Sequence, residues 1–398
     1  MRTLLAILLL SAAQFGGQLF LPALPDIAYH FSLSDAATRQ IIMLYFIGFG
    51  LSQLFYGPWL DAIGHRKVFL TGQGLYIVGS LLCYLANSPT LLATGRILQG
   101  LGAGAPLIIS RVVLGESMSG EKLRKAFGYL AIAASFTAVL APLFGGWLTT
   151  QFGFKGAFLM LTLYLIMVGV IAMLLLPHHR GEVKAMSLSQ TLRDYGGLLA
   201  NKSFLTIAMF KWIPTLMFLS SITYLPFALQ SQFSLTAEQY GFYMMMPAAG
   251  LILGSSLATM VQRYCSATMV LAIFWPLLVL SGLILHYYSA SLSGILFAVS
   301  LFMVASGAYY PNCLGMMMAA FKRQAGTAGA LLGAVDMLGF SLLAGLVNRY
   351  LVTDIESLGT VYLCCAVLLA VNWLVYTWGS EQEVGVDQSW SEPIKADV

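Results

Sequence analysis

Three charged residues sit where charge is costly. Arg96, Lys211 and Asp336 each fall inside a long apolar run, and a charge within a membrane span costs about 2.5–3.5 kcal/mol on insertion scales. Asp336, in Gly333-Ala-Val-Asp336-Met-Leu-Gly339, is the one carboxylate well inside a predicted helix. Burial penalises the charged form of a carboxyl, which suits a group that takes up and releases a proton; the competing reading makes Asp336 a structural hydrogen bonder or the partner of an arginine. Arg96 heads Arg96-Ile-Leu-Gln99-Gly100-Leu-Gly102-Ala103-Gly104 and either faces a polar interior or snorkels outward. Lys211, about two turns into its helix, either snorkels to the cytoplasmic side or lines a cavity. On this reading Arg96 and Asp336 project into a wet central chamber, where Arg96 answers a change of charge on Asp336.

Other chemistry is poorly supplied. His30, His65, His178, His179 and His286 are dispersed, and no His-x-x-x-His, phosphate loop, nucleophile elbow or paired acid cluster appears. The five cysteines (Cys83, Cys265, Cys313, Cys364, Cys365) show no zinc spacing. The sequence therefore predicts no catalytic residues, no metal site and no cofactor.

The elements that position these residues follow from composition. Charged residues make up 9% of 398 and hydrophobic ones 59%, far below the charge a water-soluble surface needs. That excludes a disordered chain, a nucleic-acid binder and a conventional cytosolic enzyme, and makes the lipid bilayer the solvent. Apolar runs predict helices near 3–25, 38–60, 67–86, 90–111, 126–148 and 156–176, then 204–230, 238–262, 268–288, 291–319, 326–349 and 358–379. The fold expected is all-α and integral to the membrane: twelve transmembrane helices in two six-helix halves, residues 1–176 and 204–379. A cytoplasmic connector, 177–203, joins them, and a tail, 380–398, follows. The Met1-Arg2 start and Ser11-Ala12-Ala13 look like a cleavable signal, but apolar character resumes through Leu19–Pro22 and predicts a retained first helix. Fifteen Lys and Arg fall in the segments assigned to the cytoplasmic side, against Arg39, Lys155 and Arg349 opposite. That bias places both termini in the cytoplasm. Tyr45 to Gly50-Leu51 and Tyr243 to Gly250-Leu251 occupy comparable places in the second and eighth helices. This faint repeat favours a carrier of two parallel halves with its ligand site between them.

Candidate substrate contacts follow from helical spacing. Gln14 and Gln18 share a face of the first helix; Tyr45, Phe49, Ser52 and Tyr56 form a stripe on the second. Gln99 stands three residues after Arg96, and Tyr224, Tyr309 and Tyr310 add aromatic walls. Packing between helices is the competing role for each of these. A pocket so lined, with Met244–Met246 and Met316–Met318 nearby, favours flat lipophilic molecules, including cations held by ring faces.

The turn Gly57-Pro-Trp-Leu-Asp61-Ala-Ile-Gly64-His65-Arg66-Lys67 resembles the signature loop of the major facilitator superfamily, with His65 in place of a basic residue. The resemblance implies a gating latch in which Asp61 meets the start of the eleventh helix near Gly326-Thr327. Arg96-x-x-Gln99-Gly100-x-Gly102 matches another motif of that family, in which the arginine is linked to proton relay. Gly128, Thr137 and Ala141-Pro142-Leu-Phe-Gly145-Gly146 resemble the antiporter signature, with two small residues replacing glycines. Leu21-Pro22-Ala-Leu-Pro-Asp26 is similar to the first-helix motif of the Bcr/CflA branch. Gln18, where that branch often has an acid, and Gln53–Pro58 make the chain most similar to the EmrD-type multidrug exporters. The resemblance implies a proton-coupled exporter of lipophilic and aromatic compounds, monomeric, multi-pass in a bacterial cytoplasmic membrane and working by alternating access. A metabolite exporter or importer of the same fold is the nearest alternative; an integral membrane enzyme or a non-transporting sensor is more remote.

Overall fold

The computed structural model describes residues 2–176 and 188–387, apart from the side chains of residues 61, 62, 116, 117, 120, 124, 188, 189, 323 and 379–387. Helix α1 (Arg2–Gln18), a 3-10 turn (Leu21–Ala23) and α2 (Leu24–His30) form the first crossing; Pro22 and Pro25 interrupt it near its end. Then come α3 (Asp35–Ile63), α4 (His65–Tyr84), α5 (Pro89–Ser117) and α6 (Gly120–Leu175). The second half holds α8 (Lys202–Gln232), α9 (Ala237–Val261), α10 (Ala267–Tyr287), α11 (Leu292–Ala320), α12 (Ala325–Tyr350) and α13 (Ile355–Asp387). Between the halves lies α7 (Leu188–Leu199).

Local sequence explains most starts and stops. Ser34, Ser88, Asn201, Ser266 and Ser291 each accept a backbone N–H three residues on, and Thr236 with Gln239 forms a capping box at α9. These caps satisfy donors that a helix leaves orphaned. Gly64 turns α3 into α4 at φ 81°, a left-handed conformation open to glycine at little cost. Gly153 does the same inside α6, at φ 67°, and the next N–H, of Phe154, donates to the Asp26 carboxylate at 2.9 Å. Thus α6 is two membrane crossings sharing one hydrogen-bonded corner. Among the described residues ten segments meet the length and hydropathy of a span, α6 being of double length; α4, headed by His65-Arg66-Lys67, completes the twelve.

The helices divide into six before α7 and six after it, and their packing repeats. The second helix of each half lies along the fourth: α3 on α5, and α9 on α11. The first helix of each half bonds to the sixth by the same pair of side chains. Ser11 Oγ lies 2.6 Å from the Tyr164 hydroxyl, and Ser221 Oγ lies 2.6 Å from that of Tyr362. Across the molecule α3 lies along α12 and α6 along α9.

The connector expected over 177–203 contains a helix. Residues 177–187 lie outside the described residues, but from Leu188 the chain forms α7, because Leu188, Leu192, Tyr195 and Leu198/Leu199 recur at helical spacing. Tyr195 and Leu198 are buried, and the Tyr195 hydroxyl donates to the Leu54 carbonyl of α3 at 3.4 Å. Helix α7 also packs on α8 and α12, so it touches both halves.

Candidate functional site

Arg96 projects from α5 into the interior of the first half, 1% exposed. Its Nη1 donates to the Gly16 carbonyl of α1 at 3.0 Å and to Gln99 Oε1 at 2.7 Å. The guanidinium lies 3.8 Å from the Phe20 ring centre and 4.4 Å from that of Tyr45, so two ring faces supply the negative potential that a counter-ion would give. Gln99 in turn donates to Ser80 Oγ at 2.7 Å. The Tyr45 and Tyr76 hydroxyls donate to the carbonyls of Ala13 and Ala12. This is a fixed charge in a cage of permanent dipoles.

Glycines let the cage close. A Cβ on Gly100 would lie 2.1 Å from the Tyr45 carbonyl oxygen, and one on Gly104 would lie 2.0 Å from Ser52 Oγ. The pair reads as the small-xxx-small spacing that brings helices together. Two expectations for Arg96 therefore need correction. It neither snorkels outward nor enters a central chamber, because its acceptors and ring partners all belong to α1, the 20–21 turn, α3 and α5. Nor does it touch Asp336.

Asp336 lies in the other half and, at 1% exposure, is likewise shut off from the wet chamber expected for it, because Lys211 Nζ of α8 donates to its Oδ2. Lys211 reaches inward to this acid rather than snorkelling to the membrane edge. Opposite charges in a low-dielectric interior attract far more strongly than in water, and pairing them avoids burying either alone. The Lys211 side chain remains 20% exposed, and its Nζ lies 5.6 Å from the Tyr310 ring centre. Around the pair, α8 also brings Trp212, whose indole N–H donates to the Leu332 carbonyl. Among the described residues Oδ1 of Asp336 is buried with no hydrogen bond of standard geometry, and the Thr215 hydroxyl of α8 is the other side-chain donor beside the carboxyl.

The stripe on α3 points within its own half. Tyr45 meets the Arg96 cage, Phe49 stacks on Tyr45, and Ser52 and Tyr56 face the glycines of α5 and α4. The face of α3 turned to the other half carries Arg39, Met43, Gly50 and Gln53, about a third of a turn away at 100° per residue. Here a Cβ on Gly50 would lie 2.4 Å from the Leu338 nitrogen, and Gln53 donates to the Gly333 carbonyl. Tyr309 also points away from this seam, donating to Leu271 of α10 at 3.0 Å. Tyr310 is the aromatic residue that meets the ion pair. Gln14 and Gln18 are part-buried on α1, and Gln14 Oε1 has no partner.

Tyr224 belongs to a contact that sequence reasoning missed. The Arg39 guanidinium of α3 lies 4.9 Å from the Tyr224 ring centre and 5.6 Å from that of Phe227, a bridge between halves at the end of the bundle where α2 lies. Beside it, Gln230 of α8 donates to the Pro22 carbonyl at 3.0 Å. The antiporter-like motif lies near this end too, on α6. Ala141 is fully buried. A Cβ on Gly145 would lie 1.8 Å from the Leu19 oxygen, inside the half. One on Gly146 would lie 2.3 Å from the Ala237 oxygen of α9, and one on Gly241 lies as close to the Pro142 oxygen. The adjacent glycines thus serve different neighbours.

At the opposite end, a Cβ on Gly57 would meet nothing within 4 Å among the described residues, Gly64 makes the turn, and His65 is buried at the start of α4, ahead of Arg66 and Lys67. The Asp61 side chain lies outside the described residues, so its expected latch to Gly326-Thr327 has no structural account.

A polytopic bundle of two six-helix halves, with buried charge in each, defines a membrane carrier. The chain belongs to the Major Facilitator Superfamily, whose family model matches residues 6–343, and is thus a secondary transporter rather than an enzyme. It is similar to Multidrug resistance protein D of Escherichia coli K12, 25% identical over 93% of this chain and 94% of that one. It is also similar to Multidrug resistance protein MdtL of the same strain, 26% identical over 82% and 83%. Among solved structures, a D-xylose-proton symporter superposes with a TM-score of 0.75 at 15% identity, covering 93% of this chain and 96% of that one. An inward-facing, unoccupied bacterial homologue of human lysosomal Spinster gives 0.68 at 16%, covering 96% of each. These structures share the fold.

Proposed function

We propose that this transporter exports lipophilic compounds across a bacterial cytoplasmic membrane in exchange for protons, with both termini cytoplasmic and the chain acting as a monomer. The observation that carries this reading is the buried Lys211–Asp336 pair, set in a fold whose relatives include multidrug resistance proteins. Protonation of Asp336 ends its attraction for Lys211 and removes the negative charge from the interior of the second half. The charged and titratable groups facing it are Lys211 from α8 and Tyr310 and Cys313 from α11; Arg96 stays in the first half as a fixed charge. The two bodies, 1–176 and 204–379, rock about the α3/α12 and α6/α9 seams, with 177–203 linking them and 380–398 as a tail. For a neutral substrate exchanged for one proton, one charge crossing 100 mV supplies about 2.3 kcal/mol, enough to concentrate it without ATP; a monovalent cation exchanged for one proton moves no net charge and draws on the pH gradient alone.

The test is dye efflux from vesicles with an imposed pH gradient. The unsubstituted chain drives efflux that collapses when the gradient is dissipated, and Asp336→Asn loses the gradient dependence. Efflux that ignores the gradient in both would remove proton coupling.

A further inference from the structure

We propose that the Asp336 carboxylate and the Tyr310 ring form a binding site for an organic cation, a role that Lys211 fills when no substrate is bound; this rests on the export reading above. Four observations converge. First, the site already holds a cation: the Lys211 ammonium sits between a carboxylate oxygen and an aromatic face, the combination that recognises ammonium-type ligands. Second, the pair is asymmetric. Asp336 is fixed in the interior at 1% exposure, while the Lys211 side chain is 20% exposed and carries a flexible four-carbon stem, so the cation is the partner that can withdraw.

Third, the unused bonding capacity lies on the acid. Asp336 Oδ1 is buried and makes no hydrogen bond of standard geometry among the described residues, the neutral Thr215 hydroxyl being the other side-chain donor beside the carboxyl, and a buried carboxylate gains most from a cation placed against it. An anionic ligand finds the reverse: Lys211 is already engaged, and the group next to it is negative. Fourth, the surroundings are apolar and adaptable. Phe340 of α12 tilts over the Trp212 ring, and Met337 is a part-buried neighbour in sequence.

A proton and an organic cation then compete for one carboxylate, which is the minimal logic of exchange. Each neutralises Asp336, and neither binds well while the other is present. Lys211 is the tethered third competitor.

Equilibrium binding of tetraphenylphosphonium to the purified full-length chain tests this, because the signs of two substitutions differ. Asp336→Asn weakens binding by about tenfold to a hundredfold, the worth of one close opposite charge in a low-dielectric site. Lys211→Gln leaves binding intact or tightens it when the pH is raised enough to keep the unpaired Asp336 ionised, since a competitor is gone. The double variant stays weak. Tyr310→Leu weakens binding while Tyr310→Phe keeps it. If the pair is purely structural, both single variants weaken alike and the double variant recovers, and the proposal falls.

The unsubstituted chain guards against misfolded variants. Tetraphenylphosphonium increases acetylation of Lys211 by acetic anhydride, read by peptide mass spectrometry, because the ammonium is displaced; unchanged or reduced labelling overturns the site. Export and site can fail separately. If the chain pumps a neutral lipophilic dye along a proton gradient but does not bind tetraphenylphosphonium, the cation site is wrong and export stands. If it binds with the stated sign pattern but pumps nothing, export is wrong and the site stands.

Discussion

Arg96 and Asp336 are equally buried, yet the two halves hold their charges by different means. Arg96 has no acid: a helix carbonyl, a glutamine oxygen and two ring faces surround it. None of these partners can leave, because each is locked by glycine-tight packing of α1, α3 and α5. Asp336 has one charged partner at the end of a long side chain that keeps some exposure. A charge that never changes is best caged by permanent dipoles, whereas a charge that must be discharged needs a partner able to move. The first half is thus the rigid reference and the second half holds the variable charge.

The largest effect expected breaks the cage. Arg96→Ala leaves a void between Phe20 and Tyr45 and strands the Gly16 and Gln99 acceptors, a loss of about 3–5 kcal/mol from cavity and unmade bonds together. Asp336→Asn should cost less, because the released Lys211 can turn its ammonium to the exposed side. Thermal unfolding in detergent orders the two; an Asp336→Asn loss equal to that of Arg96→Ala would erase the distinction between halves.

Next come the seams about which the halves move. Gly146→Ala or Gly241→Ala drives a methyl into the backbone of the opposite half, and overpacking of this kind costs about 1–3 kcal/mol. The arrangement with α6 against α9 is disfavoured, so spin-label distances across the Arg39 end should lengthen. Gly128→Ala, with open space around its position, serves as the control and should leave those distances unchanged.

Much of this was legible in the residues, and the reasons for the rest are physical. Twelve apolar runs gave twelve crossings, since a bilayer forces each span to satisfy its own backbone. The corner at Gly153 fell within a gap between two expected helices. The ion pair was half visible: Lys211 and Asp336 were each noticed as isolated charges in the same half, and their opposite signs were the clue to pairing. The stripe Tyr45, Phe49, Ser52, Tyr56 was a true helix face, but spacing says which residues share a face and not which neighbour that face meets. Gly50 and Gly104, by marking where backbones touch, identify the neighbours better than the aromatics do. Helix α7 was hidden because Ser, Gln, Thr, Arg and Asp between its leucines make the segment read as polar.

A smaller effect concerns the α12–α13 corner. The Ser357 N–H donates to the Asp354 carboxylate at 2.7 Å, and this bond, with the Ser357 hydroxyl nearby, holds the Asp354 carboxyl below the ordinary carboxylate range. A depressed carboxyl stabilises the fold fully above its unfolded value and loses that contribution as pH falls through the folded one. Asp354→Ala should cost about 0.5–2 kcal/mol as a lost helix cap and flatten the acid limb of a stability–pH profile.

The finest comparison uses the bond that both halves share. Tyr164→Phe and Tyr362→Phe each delete one Ser–Tyr hydrogen bond, while the serines keep their bonds to Leu8 and Met217. A net loss of about 0.5–1.5 kcal/mol is expected where the surroundings are dry. Tyr362 is fully buried in the second half, whereas Tyr164 is part-buried and its hydroxyl also reaches the Leu8 carbonyl at 3.3 Å. Burial favours the larger loss at Tyr362, and the second acceptor favours the larger loss at Tyr164. Because a hydroxyl with one proton satisfies only one acceptor at a time, burial should decide, and Tyr362→Phe should unfold at the lower temperature. The reverse order would mean that the first half, not the second, relies on its Ser–Tyr bond to stay rigid around Arg96.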